Sequence, residues 1–99
     1  MLQTKREDYI KYYRAKHILL TDQDDLEYII EKLKEGSSFE ALAKEFSECD
    51  SGKKGGNLGK FPSGSMLPEF ERALSKMSIG EIKYGVKTKF GIHIILREE

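Results

Sequence analysis

The chain has 99 residues, 17 of them Lys or Arg and 17 Asp or Glu, so its formal net charge is zero. That length supports one domain with a modest core, and 38% hydrophobic against 34% charged residues is the composition of an ordinary soluble globular protein. No apolar run approaches the ~20 residues that cross a bilayer, and the segment from Met1 to Asp8 lacks the apolar stretch of a signal peptide. The single cysteine, Cys49, excludes a fold stapled by internal disulfides. With two histidines and one cysteine, a tetrahedral zinc site would have to recruit carboxylates, and no metal or organic cofactor is expected. These features set the expectation of a cytoplasmic monomer that makes no use of a membrane, and Met1 that of a stand-alone chain.

The charges are unevenly spread. Residues 1–21 carry five basic and two acidic groups, residues 22–50 three basic and ten acidic, and residues 51–99 nine basic and five acidic. The neutral sum conceals an acidic middle between two basic flanks, which argues against a dominant nucleic-acid-binding face. Lys53, Lys54 and Lys60 have no aromatic stacking pattern beside them and read as solvated charges.

In chain order, residues 1–13 form a polar amino-terminal extension with scattered aromatics (Tyr9, Tyr12, Tyr13), either a short helical lead-in or a frayed tail. The domain proper spans 14–99. Ala15 to Leu20 is a short apolar run suited to a mostly buried strand. Asp22 or Asp24 then caps a helix whose Leu26, Ile29, Ile30 and Leu33 share one face, and Gly36 is placed to end it in the left-handed conformation. Ser37-Ser38-Phe39-Glu40 reads as a capping box, Ser37 with Glu40 three residues on. The helix it opens turns Phe39, Leu42, Ala43 and Phe46 inward. Ser47 to Gly56 is turn-rich, with room for one helical turn around Cys49, and Asn57 to Phe61 suits a short strand. Ser65 precedes a helix with Pro68 in its first turn, where a missing N–H costs nothing, and Phe70, Ala73, Leu74 and Met77 form its buried stripe. After a turn at Ile79-Gly80-Glu81, Ile82 and Val86 sit in short extended pieces. A last strand from Thr88 to Arg97 places Phe90, Ile92, Ile94 and Leu96 on one face. The order is that of an α+β domain with an antiparallel or mixed sheet.

Three residues stand out chemically: His17, His93 and Cys49. Taken singly each has an ordinary reading, a hydrogen-bonded core histidine or an inert buried thiol. Both histidines, however, fall in apolar strands at the two ends of the chain. Pairing of those strands at the sheet centre would bring the imidazoles together, and buried imidazoles require partners. Thr88 is a hydroxyl available to complete such a network.

From about residue 14 to its end the chain resembles the parvulin family of peptidyl-prolyl cis/trans isomerases. The carrying segments are Ala15-Lys16-His17-Ile18-Leu19, Ser38-Phe39-Glu40-Ala41-Leu42-Ala43, Phe46-Ser47-Glu48-Cys49, Gly55-Gly56-Asn57-Leu58-Gly59-Lys60-Phe61, Met66-Leu67-Pro68-Glu69-Phe70 and Phe90-Gly91-Ile92-His93-Ile94-Ile95. They occur in order over more than four fifths of the chain. The resemblance implies a four-stranded antiparallel sheet surrounded by about four helices, in the order β-α-α-α-β-α-β-β, and an activity that accelerates rotation about X–Pro bonds without a cofactor. It also implies proline-containing polypeptides as substrates. Leu58, Met66 and Phe70 match the family's proline-ring pocket, with Phe90 as an added wall. His17 and His93 match its paired histidines, Thr88 their hydroxyl partner, and Cys49 the residue facing the rotating carbonyl. Glu48 and Asp50 flank Cys49 and oppose a thiolate, which argues against covalent catalysis. Phosphate-reading members carry a basic cluster after the first strand; the matching stretch here, Thr21-Asp22-Gln23-Asp24-Asp25, is acidic and is expected to repel a phosphoserine. The alternative function is a non-catalytic peptide-binding chaperone module, for which the apolar pocket alone would suffice.

Overall fold

The computed structural model describes residues 11–99. Residues 1–10 of the proposed extension, Tyr9 among them, therefore lie outside the described residues. Tyr12 and Tyr13 do not belong to a helical lead-in: they open the first strand, β1 (Tyr12–Leu20), and Tyr13 is buried in the core. There follow α1 (Gln23–Lys34), α2 (Phe39–Phe46), a 3-10 helix (Asp50–Lys54), β2 (Asn57–Pro62), α3 (Pro68–Ser75), β3 (Ile82–Thr88) and β4 (Gly91–Arg97). The α+β architecture and the element order match expectation, with the third of the four expected helices reduced to a 3-10 turn.

The sheet is antiparallel throughout, in the order β2-β1-β4-β3, so the strands from the two ends of the domain pair at its centre. Side chains alternate across a strand, and the central pair uses this to build two cores. Ile18, Leu20 and Ile94 face α1 and α2, where they meet Leu26, Ile29, Phe39, Leu42 and Ala43. Ala15 and Ile95 face the other way and pack with Phe70, Leu74 and Met77 around α3. His17 pairs in register with Ile95, and Leu19 with His93. The two histidines thus stand diagonally on the α3 face.

Local chemistry sets the element ends. Asp22 caps α1 by accepting the Asp24 N–H at 2.8 Å. The cap of α2 is Ser38, one residue later than the capping box suggested: its hydroxyl oxygen accepts the Ala41 N–H at 3.1 Å. Glu40 instead accepts from the Ser38 hydroxyl and pairs with Lys16. The α3 helix begins at Pro68, with Leu67 in the cap position. The single strand expected over 88–97 is a hairpin, because the chain turns at Lys89 and Phe90 between β3 and β4.

Gly56 is demanded by geometry. Its φ is +84°, and a Cβ there would lie 2.4 Å from the His17 carbonyl oxygen, closer than any non-bonded contact permits. Its own carbonyl accepts the His17 N–H at 2.9 Å, so the glycine sits directly against the strand segment that carries the histidine. One further tie closes the fold: Lys16 Nζ lies 2.7 Å from Glu98 and 3.0 Å from Glu40, joining β1 to α2 and to the residues after β4. Hydrogen bonds that Lys16 donates to the carboxylates of Glu98 and Glu40 raise its pKa.

Candidate active site

On the α3 face a chain of hydrogen-bonding groups runs through the buried polar centre. Ser51 Oγ lies 3.1 Å from His17 Nε2, the two Nδ1 atoms of His17 and His93 are 3.0 Å apart, and His93 Nε2 is 2.7 Å from Thr88 Oγ1. The Phe90 N–H donates to the same Thr88 oxygen at 3.2 Å. Both imidazoles are about 5% exposed or less, and no buried side-chain polar atom among the described residues lacks a partner.

This geometry excludes a doubly charged pair. A neutral imidazole donates through one nitrogen and accepts through the other, so two neutral rings satisfy all three ring contacts with the protons aligned in one direction along the chain. Two imidazolium rings would point N–H against N–H across the central 3.0 Å contact. The environment agrees: burial, with the neighbouring His93 as a second cause, lowers the His17 pKa to about 4, and burial lowers that of His93. The pair is neutral at physiological pH.

Phe70 locks the rings in place. It meets His17 edge-on at 5.6 Å between centroids and His93 at 5.4 Å, while the imidazoles stack at 5.1 Å with 19° between planes. Edge-to-face contacts of this kind add about 0.5–1.5 kcal/mol beyond burial. Phe70 occupies the third position of α3, two residues after the Pro68 start.

Above the rings opens a cleft of about 320 Å³, its wall almost wholly apolar. His17, His93 and Phe70 line it together with Leu58, Met66, Phe90 and Cys49. Leu58 stands where β2 carries an extra residue opposite β1, between the Arg14 and Lys16 pairings. Phe90 sits on the β3–β4 turn and is 58% exposed. Cys49 precedes the 3-10 helix, half-buried with a free thiol. Seven of the eight residues singled out from the sequence thus meet at one cleft, and the eighth, Thr88, stands behind His93 as its hydroxyl partner.

Three residues were missed. Leu19 and Leu67 line the cleft; Leu19 was legible, since it shares the strand face of His17. Ser51 was not, because nothing in a glycine- and lysine-rich loop signals that one hydroxyl folds back on a strand 34 residues away. No group of three or more His, Cys, Asp or Glu side chains able to hold a metal occurs among the described residues, and no helix among them is long and apolar enough to cross a membrane.

Known proteins share this sequence pattern and this sheet. The rotamase model, described as the PPIC-type PPIase domain, matches residues 16–99, so the chain belongs to the PPIC-type family of peptidyl-prolyl cis/trans isomerases, the parvulins, which assist protein folding. It is 49% identical over 87 residues to the foldase protein PrsA of Caldanaerobacter subterraneus, covering 86% of this chain and 28% of that protein. With PrsA of Bacillus subtilis the identity is 46%, covering 87% of this chain and 30% of the relative. Among solved structures, the parvulin NmPin of Nitrosopumilus maritimus superposes with a TM-score of 0.79 at 44% identity, covering 89% of this chain and 96% of that one. PrsA of Bacillus anthracis superposes with a TM-score of 0.86 at 41% identity, covering 99% of this chain and 46% of that one. The chain spans less than a third of the length of the two PrsA foldases whose sequences it matches here.

Proposed function

We propose that this domain accelerates cis/trans rotation about X–Pro bonds of unphosphorylated polypeptides by binding the twisted amide without forming a covalent bond. The observation that carries the reading is the fully hydrogen-bonded histidine pair directly beneath an apolar cleft.

Rotation about a peptide bond must overcome ~18–20 kcal/mol because amide resonance is lost on the way. The cis and trans minima of X–Pro lie within about 1 kcal/mol of each other, so only the barrier needs attention. A catalyst gains by holding the twisted amide better than either planar form. The twisted amide has lost the charge separation of resonance and is the less polar species. A dry cleft therefore favours it, and Leu58, Met66 and Phe70 supply that surface for the pyrrolidine ring, with Phe90 at the rim. His17 and His93 act as fixed dipoles whose orientation Ser51 and Thr88 set in advance, which avoids reorganisation during rotation. Cys49 offers its thiol beside the rotating carbonyl. No proton needs to move.

Substrate charge is selected at the acidic loop after β1. Asp22, Asp24 and Asp25 lie at the start of α1, and Glu48 is held beside them by the Thr21 hydroxyl at 3.0 Å. A phosphoserine at this end would bring about −1.5 to −2 charges to four carboxylates. A monomeric, cytoplasmic enzyme completes the reading, since a reducing compartment suits the free thiol in the cleft; sedimentation and thiol labelling in fractionated cells test both points. An exchange measurement by NMR on an alanine-proline peptide and its phosphoserine-proline counterpart tests the main claim. Faster exchange of the alanine peptide supports it, and no catalysis of either peptide contradicts it.

One observation favours a second reading. The chain is 35% identical to, and superposes with a TM-score of 0.83 on, one of two proteins described as SurA-like chaperones, of which it covers 42%. A holding module would use the same cleft. Peptide-induced shifts at Met66 and Phe70 without any exchange catalysis would select it.

A further inference from the structure

Met66 and Leu67, two walls of the cleft, belong to no helix or strand. They lie in the segment joining β2 to α3, and the position that caps α3, Leu67, has no side-chain acceptor to offer. The segment is gripped from the helix side instead. The Glu71 carboxylate accepts the Gly64 N–H at 2.9 Å on Oε1 and 2.8 Å on Oε2, the Met66 N–H at 3.0 Å, and the Ser63 hydroxyl at 3.2 Å. Burial raises the Glu71 pKa, but these donors outweigh it and hold the carboxyl below its ordinary range.

Ser63 and Gly64 are exposed and Met66 is only partly buried, so water could satisfy their donor groups. Convergence of three donors on one carboxylate is therefore not required to hide polar atoms; what it alone achieves is a fixed position for the segment. Gly64 makes the grip possible, since its φ of +95° turns its N–H to the carboxylate. Phe70, the neighbour of Glu71, forms the cleft floor against both imidazoles. One side chain thus sets the spacing between the helix that presents Phe70 and the loop that presents Met66.

We propose that Glu71 is a positioning residue for substrate binding, acting through Met66 to hold the proline cleft at its working width. The proposal rests on the isomerase reading of the cleft, and it is read by a split between KM and kcat. Glu71→Gln keeps the size of the side chain but gives up the charge and one acceptor oxygen. It is expected to raise KM for an alanine-proline peptide about tenfold, the effect of weakening one charge-assisted hydrogen bond, with kcat near that of the parent. In the same sample the Met66 methyl resonance should shift and broaden while the ring signals of His17 and His93 stay in place. If the parent domain binds peptide without turning it over, the isomerase reading fails on its own, and the peptide dissociation constant with the Met66 methyl signal decides the role of Glu71. Should Glu71→Gln not fold, Ser63→Ala removes one donor and is expected to raise KM, or the dissociation constant, about threefold. An unchanged KM with an unmoved Met66 methyl in a folded variant, or a fall in kcat at constant KM, overturns the proposal.

Discussion

On the face covered by α1 and α2, strands β1 and β4 contribute Ile18, Leu20 and Ile94, none more than 1% exposed. On the face covered by α3, the residues adjacent to them in the same strands are His17 and His93. The backbone hydrogen bonds, the register and the depth of burial are common to both faces. They differ in what burial is used for. The first face needs only complementary volume, and aliphatic side chains with no polar demands supply it. The second buries two imidazoles, which are tolerable only because Ser51, Thr88 and each other saturate their nitrogens. Rigidity is the return: each ring is fixed by two hydrogen bonds and by the edge of Phe70, directly under the cleft.

Substitution should separate the two faces. Ile94→Ala opens a cavity in a fully buried aliphatic layer and is expected to cost about 4 kcal/mol in urea denaturation. It should leave kcat/KM unchanged wherever the variant is folded. Phe70→Ala is expected to cost about 3 kcal/mol and, in addition, to lower kcat/KM about 100-fold, since both rings lose the contact that orients them. Equal losses of activity in these two variants would erase the distinction between the faces.

Ser51→Ala leaves the buried His17 Nε2 without a partner and is expected to cost about 1–3 kcal/mol, with Ser51→Thr restoring most of it. The same nitrogen gives a pH signature with a definite sign. In the unfolded chain a histidine binds its proton near pH 6.5, whereas folded His17 does so only near 4. Between those values the unfolded state holds more protons, so stability rises with pH. This contribution is complete above pH 6.5 and is lost as pH falls towards 4. The urea midpoint should therefore drop on acidification from pH 7 to 4.5, and less steeply in His17→Asn. The smallest expected effect is that of Cys49→Ser, which should keep kcat/KM within about tenfold of the parent, as befits a group that shapes the cleft without reacting.

The contrast between the faces also explains what could be read from the sequence. The apolar face was legible almost entirely, because Leu26, Ile29, Phe39, Leu42 and Ala43 recur at helical spacing and Ile18, Leu20 and Ile94 at strand spacing. The histidine pair was legible as a possibility, since two ring-bearing strands at opposite ends of the chain can pair centrally, and the resemblance to the parvulins turned it into an expectation. The break at Lys89 and Phe90 was hidden because the apolar alternation from Phe90 to Leu96 runs straight through the turn. The cap of α2 slipped by one residue because Ser37 and Ser38 both offer a hydroxyl, and only the Lys16–Glu40 pair shows which frame the helix takes. Ser51 and Glu71 were out of reach for a different reason. Their partners lie in other elements, and local patterning carries no information about such closures.

The central claim is that the histidine pair works uncharged, as a fixed polar floor for a rotating amide. Nitrogen-15 spectra of the His17 and His93 rings between pH 4 and 8, recorded beside the exchange rate of an alanine-proline peptide, test it most directly. Two neutral rings, each with one protonated nitrogen, are expected at pH 7, with a rate constant that shows no step near the ordinary histidine value of about 6.5 and activity that is lost as His17 takes up its proton near pH 4. A ring that is charged at pH 7, or a rate that follows a titration near pH 6.5, would contradict it.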